Sequence, residues 1–311
     1  MAKNTTVGKR GGGVVVKIIK DSIKNNYAFM DLYKQIKYLY AKNCISDVDL
    51  IKREFKRRLK REVELNEPIK FNDKLQWLKL NWYDPKAIIC ADKYRVREFV
   101  EDRIGKEYLN EIYEVYDSVD RINLNMLPES FVLKGTHGSG FNIICTNKNN
   151  IDWNFEYKKM KKWLKRNYYW QNREWVYKNI EPRIICEKYL EEAEHGELRD
   201  YKFFCFDGEP RLIQVDFNRF TNHERNIYDL TWTLLDVEIQ YPNNKKIIID
   251  KPSRLSEIVK LSKELSKGFP HVRVDFYQVK DVIYFGELTF FMEVGWKDLS
   301  PRNSKKLWEI G

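Results

Sequence analysis

The stretch YKFFCFDGEPRLIQVDF, residues 201–217, constrains the fold of this chain more than any other: two apolar, β-rich runs flank Asp207-Gly208, a dipeptide suited to a tight hairpin. Similar runs recur from residue 131 onward, at 131–134, 141–146, 183–190, 201–207, 210–217, 272–279 and 282–291. Only two helical stretches interrupt them, at 155–169 and 252–267. Strands that follow one another through short turns, broken by few helices, predict α+β architecture with antiparallel sheets and argue against a doubly wound parallel fold. With 311 residues, 43% of them hydrophobic, the chain can bury a sizeable core.

Before residue 131 the texture is helical. In LIKREFKRRLKREVE, residues 50–64, Leu50, Ile51, Phe55, Leu59 and Val63 recur every three to four positions, which predicts an amphipathic helix with a basic outer face. Residues 1–62 carry 16 of the 56 Lys and Arg and 6 of the 46 Asp and Glu, so the net charge of +10 resides in this segment. Such a face suits solvent, anionic lipid, nucleic acid or an acidic polysaccharide. Further helices are expected within 71–80 and over 93–104, the latter stopped by Gly105. The apolar run near the start is broken by Lys17 and is too short for a signal-peptide core or a membrane span. Cys44, Cys90, Cys145, Cys186 and Cys205 are odd in number and lack CxxC spacing, which predicts reduced thiols in a cytoplasmic protein with no disulfide framework and no structural zinc.

Three stretches carry chemistry. In FVLKGTHGSGFNIICT, residues 131–146, a strand ending in Lys134 runs into Gly135, Gly138 and Gly140. It matches neither a Walker loop nor GxGxxG, and is either a plain hairpin turn or a flap whose backbone N–H groups fold over polyphosphate. In PRIICEKYLEE, residues 182–192, an apolar strand turns polar at Glu187 and Lys188, a hinge able to offer backbone groups to a ring edge. The third is the pair Asp275 and Glu287, each amid apolar residues of consecutive strands. Carboxylates facing one another across a hairpin repel unless a cation lies between them, and Mg²⁺ suits one or two carboxylates plus phosphates. Period-two alternation then requires a three-residue turn, Lys280-Asp281-Val282, because a two-residue turn would set Asp275 opposite Gly286.

Lysine strand, glycine turn, hinge and carboxylate pair, in that order, resemble the ATP-grasp superfamily. FNDKLQWLKL, ADKYRVREFV, FVLKGTHGSG, REWVYKNIEPRIICEKYL, DYKFFCFDGEPRLIQVDFNRF and GELTF resemble its TupA-like branch, associated with teichuronopeptide and capsular or surface polysaccharide synthesis. The resemblance implies an ATP-grasp fold, two α+β lobes with antiparallel sheets gripping ATP, preceded by the basic helical segment. It divides the chain into an N-terminal segment 1–62, a helical region 63–130, a small lobe 131–186 and a large lobe 187–311. It implies that Lys93 and Lys134 contact phosphates, that Gly135, His137, Gly138, Ser139 and Gly140 form a lid, poorly ordered without nucleotide, and that Glu187, Lys188, Tyr189 and Leu190 form the adenine hinge. Asp275 and Glu287 would ligate Mg²⁺, with Thr289 where many members have asparagine.

The implied reaction passes a phosphoryl group from ATP to a carboxylate, and an amine then attacks the acyl phosphate to give an amide. Lys202, Arg219 and Arg273 are candidates for charge stabilisation and for binding the acceptor carboxylate, and His223 for acceptor binding or proton transfer. The expected partners are ATP, a carboxylate-bearing sugar or glycan and an amine donor. The basic helix would meet the inner membrane surface or the polysaccharide-synthesis machinery, and no nucleic acid is expected. A phosphotransferase that stops at phosphoryl transfer, a glycosyltransferase acting on the same glycan and a non-catalytic binding module are the alternatives. The DxD of Asp47 and Asp49, which would serve a glycosyltransferase, precedes a helix and is read as its N-terminal cap.

Overall fold

The computed structural model describes residues 42–190, 198–218, 222–247 and 249–292, together with 36, 39 and 40. The chain divides into two compact units, 1–50 and 51–311. In the first, Ser46 Oγ accepts from the Asp49 amide at 3.1 Å and donates to its carboxylate at 2.6 Å. The helix that follows, Asp47–Leu59, thus opens on a serine cap, with Asp47 and Asp49 in its first turn.

That helix stops short of the expected residue 64 because Lys60 adopts a left-handed φ of 56°. The Arg61 guanidinium and the Glu64 amide then both donate to Asp73 Oδ1, at 2.9 and 3.1 Å. Ile51, Phe55 and Leu59 bury one stripe of the helix together with Val63 and Leu80. Three further helices lead to the first sheet, Phe71–Asn81, Pro85–Ala91 and Val96–Ile104, the second opened by the Asp84 side chain accepting the Lys86 amide.

Two antiparallel sheets follow. The first has the order β1-β4-β2-β3, from Ile112–Tyr116, Phe131–Gly135, Asn142–Cys145 and Ile184–Lys188, β1 to β4 in chain order. β1 lies in the region expected to be helical; only five residues long with one exposed acid, Glu114, it gains its definition from pairing with β4. The helix Trp153–Leu164 covers this sheet, with Met160 and Trp163 against Leu133, Phe141 and Ile143.

The second sheet has the order β10-β9-β5-β6-β7-β8, from Asp200–Phe206 (β5), Glu209–Phe217 (β6), Glu224–Tyr228 (β7), Leu234–Leu235 (β8), His271–Val279 (β9) and Val282–Thr289 (β10). The β5–β6 hairpin turns at Asp207 and Gly208, both at positive φ (48° and 79°), as the sequence predicts. Alternation sorts its two faces. Tyr201, Phe203, Ile213, Val215, Val272, Val274 and Phe276 bury one face beneath the helix Leu255–Ser266. The opposite face of β5, β6 and β9 therefore receives Lys202, Gln214, Asp216, Arg273 and Asp275. Leu75, Phe204, Leu212 and Ile227 form an apolar cluster beside this polar strip.

The β9–β10 connection corrects the predicted turn. Val279 pairs with Val282, so Lys280 and Asp281 make a two-residue turn, with Lys280 at φ 53°. Asp275 nevertheless faces Glu287, because a β-bulge at Gly286 shifts the register by one.

Candidate active site

Lys93 contacts elements of both sheets. It stands in the turn that opens the helix Val96–Ile104, held by Asp92, whose Oδ1 accepts the amides of Tyr94 and Arg95 at 2.9 and 3.3 Å. The Lys93 amide donates to the carbonyl of Thr136 at 3.2 Å. Its ammonium donates to the carbonyl of Gly138 at 3.0 Å and lies 3.1 Å from Glu287 Oε2. One side chain therefore ties the glycine turn after β2 to the carboxylate on β10.

That turn is packed, which narrows the expected lid. Thr136, His137 and Gly138 are buried, and only Ser139 and Gly140 are exposed. A Cβ on Gly138 would stand 2.7 Å from the Tyr168 ring and 2.9 Å from that of Phe141, so glycine is needed there for space. His137 faces the interior, with Nε2 2.8 Å from the Trp163 carbonyl, and burial lowers its pKa. Lys134 forms an ion pair with Glu187 Oε2 at 2.6 Å. The Lys188 amide is committed to the Glu111 carbonyl at 2.9 Å, and its own carbonyl accepts from Asn110 at 2.8 Å. Tyr189 and Leu190 follow, both half-buried.

On β9 and β10 the predicted carboxylates share a cation. Arg273 donates twice to Asp275, each bond 2.6 Å, and through Nη2 to Glu287 Oε1 at 3.1 Å and Thr289 Oγ1 at 3.2 Å. The neighbouring charges stabilise the Arg273 cation and raise its pKa although burial opposes this. Burial is likewise the largest influence on Glu287, but Lys93 and Arg273 outweigh it and hold its pKa down to about 2. For Asp275 burial prevails and the pKa rises, against Arg273 and Lys202.

Lys202 continues the network. Its ammonium pairs with Asp200 and lies 3.4 Å from Asp216 and 4.0 Å from Asp275. Asp216 also receives Arg225 Nε at 2.6 Å, Gln214 Nε2 at 2.9 Å and His223 Nε2 at 3.1 Å. The His223 ring stacks on Tyr241, centroids 3.6 Å apart. A continuous path of polar contacts thus runs from Gly138 through Lys93, Glu287, Arg273, Asp275, Lys202 and Asp216 to His223. Arg219 lies outside the described residues. Asp200, Asp216 and Tyr241 were not singled out from sequence, although Asp216 shows the same signal as Asp275, an acid inside an apolar strand.

Three oxygens, of Asp275, Glu287 and Thr289, accept from one Arg273 nitrogen, and such a hard-oxygen set fits Mg²⁺. Among the described residues, no group of three or more His, Cys, Asp or Glu is arranged to hold a metal, and no helix is long and apolar enough to cross a membrane. Cys90, Cys145, Cys186 and Cys205 are buried free thiols and Cys44 an exposed one. A separate cavity of about 390 Å³, lined by Phe71, Leu75, Trp77, Phe206 and His271, contains none of the predicted site residues.

No curated protein matches the sequence. Among solved structures, D-alanine–D-alanine ligase from Bacillus anthracis complexed with ATP is 15% identical, with 70% of this chain and 61% of that chain covered and a TM-score of 0.42. The enzyme of the same name from Helicobacter pylori is 13% identical over 77% and 68% of the two chains, TM-score 0.39. ATP-grasp ligase PsnB complexed with minimal precursor is 12% identical over 76% and 67%, TM-score 0.39. The chain thus spans about 61% of the length of the Bacillus anthracis ligase. The family model for TupA-like ATPgrasp matches residues 73–308, which take in the glycine turn, the hinge and the carboxylate pair, and the chain belongs to this TupA-like ATP-grasp family.

Proposed function

We propose that the chain is an ATP- and Mg²⁺-dependent ligase that joins an amine to a carboxylate through an acyl phosphate, the acceptor being a uronic-acid-type carboxylate of a capsular or cell-surface polysaccharide. The observation that carries this reading is Lys93, which touches both the glycine turn and Glu287. Polyphosphate bound between them would meet Lys93 and Lys134, backbone N–H groups of the turn at Ser139 and Gly140, and the β9–β10 carboxylates. Within the hinge, Glu187 balances Lys134, and with the Lys188 amide committed, Tyr189 and Leu190 are left to present backbone to the adenine edge. The segments 131–186 and 187–311, with β1 and the last residues of β4 joined to the first of them, would act as the two gripping lobes.

Asp275, Glu287 and Thr289 would hold magnesium, which when bound would supply positive charge to the phosphate oxygens. Arg273 shares those oxygens and can turn its bidentate guanidinium to phosphate or to the acceptor carboxylate. Lys202, held by Asp200 and Asp216, keeps a cation beside the same carboxylates, and Arg219 belongs to the same proposed acceptor site. The basic helix would hold the enzyme at an anionic cytoplasmic membrane surface or at the polymerising machinery.

Turnover of ATP with a uronic acid in the presence of hydroxylamine tests the reading. A ligase yields ADP and a hydroxamate; a kinase yields ADP and a stable phosphorylated sugar. ADP without hydroxamate across a panel of uronic acids would overturn it.

A further inference from the structure

The neighbourhood of His223 carries chemistry that carboxylate activation does not use. Asp216 is buried and surrounded by donors, from Arg225, Gln214, Lys202 and His223. An ionised carboxylate can only accept, so the proton between it and His223 belongs to Nε2. In the neutral ring Nδ1 is then a lone-pair acceptor. It has no hydrogen-bond partner among the described residues, and the side chain is 23% exposed. Tyr241, stacked on the ring and crossed by Arg225 at 4.9 Å, holds the imidazole plane.

We propose that Asp216 positions His223 as the proton acceptor for the amine donor, and that this donor arrives as an ammonium ion at the end of the polar strip where β6 leaves the sheet. The inference rests on the ligase reading and names the charge state of its second substrate. An ammonium has no lone pair and cannot attack. Transfer of one N–H proton to His223 Nδ1 frees that electron pair and leaves an imidazolium stabilised by Asp216. The amine nitrogen then forms a bond to the acyl carbon, the bond from that carbon to the phosphate oxygen breaks, and phosphate departs with the electron pair. The second proton lost from nitrogen goes to the departing phosphate, so the products are amide, hydrogen phosphate and protonated His223. Lys202 lies on Asp216 Oδ2, the oxygen other than the one that receives His223.

Two measurements test this. In protein labelled with ¹⁵N-histidine, long-range ¹H–¹⁵N correlation reports the tautomer of each of the 4 histidines, and His223→Gln assigns the resonance. His223 is expected to carry its proton on Nε2, and Asp216→Asn to shift it toward a mixture; a proton on Nδ1, or a tautomer indifferent to Asp216→Asn, overturns the proposal. The second measurement compares amines. Hydroxylamine is largely unprotonated at neutral pH and needs no base, whereas amino acids and amino alcohols do. In His223→Gln and Asp216→Asn, coupling of whichever amine of such a panel the wild type uses should fall about a hundredfold further than hydroxamate formation. Equal losses overturn the proposal. A wild type that forms no hydroxamate sinks the ligase reading instead, while the tautomer result still decides the His223 assignment.

Discussion

Glu287 faces Asp275 because Gly286, between Phe285 and Glu287, is an extra residue in β10. The apolar pattern records it: Ile283 and Phe285 share a face two residues apart, whereas Leu288 and Phe290 resume that face after a three-residue step. Unbroken alternation would have turned Glu287 into the apolar core beneath the helix Leu255–Ser266. The bulge delivers it to the polar face and into reach of Arg273 and Lys93.

Gly286→Ala tests this relationship. A Cβ there would stand 3.0 Å from the Asp275 carbonyl oxygen and 3.1 Å from the Tyr277 ring. The substitution should cost about 1–3 kcal/mol by overpacking, and Gly286→Val more, measured by urea unfolding. Nucleotide affinity should fall with it, since the cross-strand pair moves as a unit. Wild-type stability and affinity in the valine variant would contradict the assignment of the bulge.

Lys134→Ala separates phosphate binding from packing. It strands a buried Glu187 carboxylate and should destabilise by about 1–3 kcal/mol. It should also weaken ATP binding about tenfold to a hundredfold, the value of a charge-assisted bond. Adding Glu187→Gln should restore stability but not affinity, as read by thermal melting and calorimetry. Recovery of both would make Lys134 a structural residue only.

Acid should destabilise the fold through Glu287. Its pKa is held down to about 2 in the folded chain against an ordinary 4.5, so the stabilisation is fully present above 4.5 and lost as pH falls toward 2. Stability curves of Glu287→Gln should be flatter than wild type across that window. Parallel curves would place the acid sensitivity elsewhere.

His271 acts in a higher window. Burial, against the hydrogen bond from its Nδ1–H to the Cys205 carbonyl at 2.9 Å, lowers its pKa from 6.5 to about 4. The unfolded chain takes up the proton first on acidification, so stability is full above pH 6.5 and declines as pH falls toward 4. His271→Gln, which keeps an N–H donor, should remove this decline; its persistence in melting curves would exclude His271.

The alternation of β5, β6 and β9 was legible in the sequence because period two and apolar residues decide which face is buried, and it delivered Lys202 and Asp275 to the site. The Asp207-Gly208 turn was legible for the same local reason. Strict alternation makes the Lys280-Asp281 turn one residue too long, because it overlooks the bulge that the spacing from Phe285 to Leu288 marks. The packing of His137 against Trp163 depends on a helix more than twenty residues later, and no local pattern announces it. The partnership of Asp216 with His223 and Arg225 needed the register of β6 on β7, although an acid embedded in an apolar strand was visible by the criterion applied to Asp275.

Arg273 leaves the β9–β10 acids with a resident counter-ion. Their coexistence therefore requires no metal ion, and chelation is expected to leave the fold in place. In the proposed reading, metal supply would set turnover without setting how much folded protein survives.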